Sequence, residues 1–361
     1  MHRSLSIAIA AGALLFAVAV PCAAQSRVAF VRGVFNTDFT LRSSTLYRVN
    51  IDGTGFLQLA PMTAGTYRFD PRWSPSGNTL VYTFRSGGGA GQLWRMTATG
   101  GNRTRLTFGT ADHHGPAWRG DGGMIAYIAQ GASGACLAIV RPDATGQRNI
   151  FCPPGPAYID TRPMWSSDGT RLFISTSFRG SGLEPPYFSR AYSVNASTGA
   201  ATLLTAQTFD DFRYLVFHPS GTNGLYAGDG SIDAVNFATD VLVPRAQGEY
   251  PLWSQGGSRF AYTKRQFSDS GPLIVYDHVW VMSADGSTDV EVTPPIVDNI
   301  EYVAVEFSRD ATRLLTDRTV YMPSEPGSGL YVGDPYMRLF NVASGTWVNL
   351  PQGGASDWFQ P

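Results

Sequence analysis

The chain has 361 residues, 40 of them Gly and 23 Pro, with 43% hydrophobic, 12% aromatic and 15% charged residues and a formal charge of -1. So much Gly and Pro excludes a fold of long helices, and so many hydrophobic residues exclude a disordered chain. The near-zero charge gives no broad field for gripping nucleic acid or anionic lipid, so neither is expected as a partner.

The first element is a leader. His2 and Arg3 precede an apolar run from Leu5 to Val20, and Cys22 and Ala24 put small residues three and one before a cut. The pattern predicts a cleaved signal peptide over 1–24 and a single mature domain over 25–361, exported to the periplasm or secreted. Pro21 fits a lipid-attachment box poorly. The leader is short for a membrane span and no later run approaches the necessary length, so a water-soluble monomer is expected.

After the leader, Arg27-Val-Ala-Phe-Val31 reads as a strand with no aromatic anchor before it, and Leu46–Val49 and Phe56–Leu59 follow as two more. A repeat then begins. It runs Pro71-Arg-Trp73-Ser-Pro-Ser-Gly-Asn-Thr-Leu-Val-Tyr82, then Pro116-Ala-Trp118-Arg-Gly-Asp-Gly-Gly-Met-Ile-Ala-Tyr127, then Pro163-Met-Trp165-Ser-Ser-Asp-Gly-Thr-Arg-Leu-Phe-Ile174. Weaker copies centre on Phe217, Trp253 and Phe307. The anchors 73, 118, 165, 217, 253, 307 and 358 are 45, 47, 52, 36, 54 and 51 residues apart. Units of this length with short strands predict an all-β fold, a β-propeller of four-stranded antiparallel blades.

Within a unit, Ser-Pro-Asp-Gly-like turns join the anchor strand to an apolar second strand, because Asp supplies an acceptor and Gly permits positive φ. Third and fourth strands appear as Leu93–Met96 with Arg105–Thr107, Val279–Met282 with Val290–Thr293, and Met337–Phe340 with Trp347–Leu350. The aromatic anchors are read as blade-to-blade packing. At the C-terminus, Ser356-Asp-Trp358-Phe is an anchor strand with nothing after it, which complements the anchorless N-terminal strands. Joining them makes one composite blade and removes an open sheet edge. Seven blades are therefore expected, or six if the short unit after Phe217 does not form one.

Cys136 and Cys152 flank two β-prone runs that turn at Asp143 to Gly146, a geometry that sets them side by side. A disulfide is expected in an exported chain.

The Pro-x-Trp-Ser-Pro-x-Gly anchor, the apolar strand after it and the terminal Arg-Leu-Thr of Pro71 to Thr107 resemble the propeller repeats of TolB, the periplasmic translocation protein, and related PD-type (WD-like) propellers. The TolB α/β domain that precedes its propeller has no counterpart in this sequence. The resemblance implies a protein-binding propeller at the cell envelope. The same repeat also occurs in serine peptidases and oligogalacturonate lyases, and a fold does not define a function.

Catalytic motifs are sparse. The sequence has neither Gly-x-Ser-x-Gly nor a phosphate-binding Gly-x-x-x-x-Gly-Lys loop, and Gly87-Gly-Gly-Ala-Gly91 falls between two strands of one unit. Lys264 is the single lysine against 26 arginines, which reads as a compositional bias. His113 and His114 precede the Trp118 anchor and are expected as exposed loop residues. As a metal pair they would supply two nitrogens and require carboxylates to complete a site. His218 and His278 are expected away from the funnel.

The segments before the anchors converge on one mouth of the channel in propellers of this kind. They carry Arg68, Asp70, Asp112, His113, His114, Asp160, Arg162, Asp211, Arg213, Glu249, Glu301 and Asp357, with Asp210, Tyr250 and Asp298 nearby. These are the candidate binding residues of an acidic, Arg-edged funnel. The favoured reading is an exported, non-catalytic scaffold without a cofactor that binds an envelope protein or peptide. The alternative is a carbohydrate lyase or hydrolase with a divalent metal in the funnel.

Overall fold

The computed structural model describes residues 26–36, 40–154, 158–179, 187–267, 275–294, 300–323 and 331–360. These residues form seven four-stranded antiparallel blades in a ring. Blade 1 is the composite one: Gly354–Phe359 is its innermost strand, followed outward by Arg27–Phe35, Leu41–Asn50 and Leu57–Gln58. Blades 2 to 7 each open with an anchor strand, namely Thr66–Trp73, Asp112–Trp118, the split pair Tyr158–Ile159 and Met164–Trp165, Tyr214–Phe217, Glu249–Trp253 and Ile300–Phe307. These strands touch in succession around the channel, except that Tyr214–Phe217 of blade 5 meets blade 4 through its second strand, Arg171–Arg179. The short unit after Phe217 forms a complete blade, Tyr214–Phe217, Asn223–Gly228, Ser231–Asn236 and Val241–Gln247, so the count is seven.

The anchors pack between blades. Trp73 lies with Ala29 and Leu46 of blade 1. The indole of Trp118 donates to the Arg72 carbonyl at 3.1 Å and that of Trp165 to the Ala117 carbonyl at 3.0 Å, so each reaches back one blade. In the repeat turns, Asp168 and Asp310 accept from the backbone N–H two residues on, the role assigned to Asp in these turns. Gly221 faces the Phe173 ring so closely that a Cβ there would lie 2.2 Å from it, and its φ of +71° is left-handed.

Innermost strands are interrupted by bulges, between Phe69 and Arg72, His114 and Ala117, Glu249 and Leu252, and Ala304 and Glu306, and that of blade 1 by another between Gly354 and Asp357. In the first three, a residue with left-handed backbone stands directly before the anchor proline: Asp70 (φ 51°), Gly115 (62°) and Tyr250 (53°). Each bulge changes which side chains face the channel and which face the next blade.

In blade 3, Gly134–Val140 and Arg148–Phe151 form the expected hairpin, and the Cys136–Cys152 disulfide joins them with Cα atoms 4.2 Å apart. The predicted leader lies outside the described residues. Among those described, no helix is long and apolar enough to cross a membrane.

Candidate functional site

Strand alternation places the connections into each innermost strand at the same end of the ring as the turns between second and third strands. Two clefts open at this mouth.

The larger, of about 820 Å³, lies between blades 2 and 3. Tyr67 and Phe69 come from the innermost strand of blade 2, the Gly87 to Ala90 turn forms a rim, and Arg85, Asp112 and Gln130 complete it. Arg85 Nη2 donates to Asp112 Oδ1 at 2.7 Å, while the guanidinium stands 5.7 Å from the Phe69 ring centre. The Gly91 N–H also donates to Asp112 Oδ1, at 2.5 Å. A Cβ at Gly91 would sit 2.8 Å from that carboxylate oxygen, so a larger residue there would displace the Asp112 side chain. Burial alone would raise the Asp112 pKa, but the Gly91 N–H and the Arg85 guanidinium together hold it below the usual carboxylate range. The cleft thus offers two aromatic faces beside a fixed ion pair, suited to an amphipathic ligand.

The second cleft, of about 440 Å³, lies between blades 5 and 6 and is lined by Asp229, Glu249, Thr263, Lys264, Arg265 and Asp277. Arg265 forks onto Asp277 at 3.1 and 3.2 Å, and the Asp277 side chain is 1% exposed. Lys264 pairs with Asp289 at 2.9 Å and covers the Trp280 ring.

The sequence-predicted residues distribute unevenly over this end. Asp112 and Glu249 line the clefts. His113 and His114 are in a strand and not in a loop, which corrects the expectation of two exposed loop histidines. They alternate across it: His114 Nδ1 stands 3.3 Å from Asp112 Oδ2. His113 is 3% exposed, sits 3.1 Å from Gln92 Oε1 and packs edge-on against Tyr127. Burial lowers its pKa to about 4, so it is neutral at pH 7.

Arg68 is also buried, over the Phe84 ring and bonded to the Pro61 carbonyl at 3.2 Å. Asp70 accepts from the Gly115 N–H at 3.3 Å, and Arg162 lies beside Gly115. Asp160 accepts from the Ser177 hydroxyl at 2.5 Å and leaves Oδ2 buried without a partner, and burial raises its pKa to about 7. Arg213 joins Asp211 and Asp233. Asp357 is on the innermost strand of blade 1 and pairs with Arg72 at 3.3 Å. Glu301 is at the start of an innermost strand, and its side chain, like Asp298, lies outside the described residues.

Among the described residues, most of these carboxylates are tied to an arginine or a backbone N–H. Tyr67, Phe69 and Arg85 were missed because they belong to strand runs that read as core. The placement of Arg85 two residues before the Gly run was the available signal. His218 bonds to the Gly257 carbonyl and meets Trp253 edge to face, in an anchor turn at the opposite end.

No known protein family's sequence model matches the chain. Dipeptidyl-peptidase 5 of Porphyromonas endodontalis is 30% identical over 111 residues, which are 29% of this chain and 16% of that protein, so the match spans about a sixth of the relative. Among solved structures, an oligogalacturonate lyase in complex with manganese aligns over 91% of this chain and 86% of its own at a TM-score of 0.61 and 13% identity. TolB of Acinetobacter baumannii aligns over 91% and 82% at 0.48 and 14%. The protein is a seven-bladed β-propeller, and the likeness to the lyase structure bears on its fold alone.

Proposed function

We propose that the protein is an exported, TolB-like, non-catalytic propeller of the bacterial cell envelope that binds a protein or peptide through its mouth. The observation that supports this reading best is the cleft between blades 2 and 3, where Tyr67 and Phe69 flank the Arg85–Asp112 pair. Aromatic and Arg side chains in a concave, partly desolvated setting are the groups that carry binding energy at interfaces. The disulfide in blade 3 suits an oxidising compartment.

A metal-dependent lyase of the kind represented by the manganese-bound structural neighbour fits the residues poorly. Successive positions on a strand point His113 and His114 to opposite faces, and the buried His113 is packed against Tyr127. Among the described residues, no three His, Cys, Asp or Glu side chains converge on a point.

Cross-linking in the native envelope tests the proposal. Wild-type protein should capture a specific partner, and Tyr67→Ala with Phe69→Ala should reduce that capture several-fold at unchanged folding. Equal capture by both proteins would move the binding site elsewhere on the ring.

A further inference from the structure

The residue just before each anchor faces the channel region, and its chemistry is not uniform around the ring. It is apolar in blades 3 to 6, as Ala117, Met164, Val216 and Leu252, and charged in the three blades at the closure, as Glu306, Asp357 and Arg72. Both carboxylates do the same unusual thing. Glu306 Oε2 accepts the backbone N–H of Trp358 at 2.8 Å, and Asp357 Oδ2 accepts the backbone N–H of Trp73 at 2.7 Å. The C-terminal strand Gly354–Phe359 is therefore fastened on both flanks, to blade 7 through its own N–H and to blade 2 through its own carboxylate. No covalent turn joins that strand to its neighbour Arg27–Phe35, so these bonds act where the ring is held by pairing alone.

The charges do not balance. Arg72 Nη1 reaches Asp357 Oδ1 at 3.3 Å, and Glu306 feels the same guanidinium only through its charge. Among the other groups around the strand, Asp317 of blade 7 is a further carboxylate, whose Oδ2 would lie 3.2 Å from a Cβ at Gly354. Arg27 of blade 1 turns away to the Trp73 ring and the Gly77 carbonyl, Arg32 reaches Gln352, and Arg338 reaches Asn349. Asp70 of blade 2 accepts from Gly115. A proton on the pair neutralises it.

We propose that Glu306 and Asp357 are a proton-operated latch on the C-terminal strand: with one proton on the pair the strand is clamped to blades 7 and 2, and without it the strand loosens. Burial first, then the neighbouring Asp357, raises the Glu306 pKa from 4.5 to about 8, and burial likewise raises that of Asp357. A group whose folded pKa is raised stabilises fully below its unfolded value, and that stabilisation is lost as pH rises toward the folded value. The latch is thus tight in mild acid and loosens toward neutral and alkaline pH.

Amide hydrogen exchange of the full chain, corrected for intrinsic rates, reads this directly. Opening of one proton-linked site scales about tenfold per pH unit inside its window. Between pH 5.5 and 7.5, protection of 354–359 and of the paired 27–35 should fall at least about tenfold relative to 259–267 of blade 6. Glu306→Gln keeps an acceptor for the Trp358 N–H but cannot ionise, and should flatten this response; Asp357→Asn serves as the second variant should the first fold poorly. A pH-independent ratio in wild-type protein would overturn the latch, as would an unaltered response in the folded variants.

Discussion

Blades 1 and 3 solve the same problem with opposite means. Blade 3 is one continuous stretch whose outer strand is locked by the Cys136–Cys152 bond. Blade 1 brings together strands from the two ends of the described chain, and its inner strand is held by side-chain-to-backbone bonds: Glu306 to Trp358, Asp357 to Trp73, and the Trp358 indole to Ser26 Oγ at 2.6 Å. A covalent hairpin retains its strand when a contact is lost, whereas a strand held by pairing is released as a unit. The strength of the whole ring therefore rests on the blade with the least covalent support.

Removing the seam anchor is the most severe way to break this contrast. Trp358 is buried among Val28, Phe30 and Leu350, and Trp358→Ala should cost about 3–5 kcal/mol in denaturant unfolding. Trp118→Ala, in the continuous blade 3, should cost less because its residue is only half-buried and its strand stays tethered; equal losses would show that covalent continuity is irrelevant.

Replacing both Cys136 and Cys152 by Ser should cost about 3 kcal/mol by the chain-entropy argument, with increased exchange in 148–151 and little change in blade 1. A smaller effect is expected from pH. His113 in blade 3 has a folded pKa lowered to about 4 from 6.5, so its contribution is present above pH 6.5 and is lost as pH falls through that window. His113→Gln should flatten the acid limb of stability against pH. Blade 3 would then weaken in acid while the blade 1 seam weakens toward base. The smallest effect is Arg85→Ala: an exposed ion pair contributes under about 1 kcal/mol, so melting should be nearly unchanged while partner capture falls.

The ring was readable in the sequence because its signals are local. Ser-Ser-Asp-Gly and the turn between Cys136 and Cys152 act through bonds to residues a few positions away, as Asp168 does, and Pro-x-Trp marks each blade by recurring even though its indole reaches back one blade. Even the composite blade followed, since an anchorless strand set at Arg27 and a lone anchor at Trp358 complement each other. The mouth was less readable. Asp112, His113 and His114 are adjacent in sequence, yet strand alternation sends His113 to a blade interface while Asp112 and His114 share the other face. Glu306 was overlooked because its role depends on a strand 52 residues away. Tyr67 and Phe69 line a cleft because the bulge before Arg72 re-aims an otherwise core-like run.

The pairing of Arg27 with Phe359 has one further meaning. It brings the first and last described strands alongside each other, so the order in which blades occur along the chain is a convention of where the polymer starts. A short linker from Gln360 to Ser26, with new ends cut in the Gly131–Gly134 turn of blade 3, would transfer the tethering from one blade to the other. In that circular permutant the former seam would become the covalently secured blade, and blade 3, stapled by its disulfide, would become the one that closes the ring.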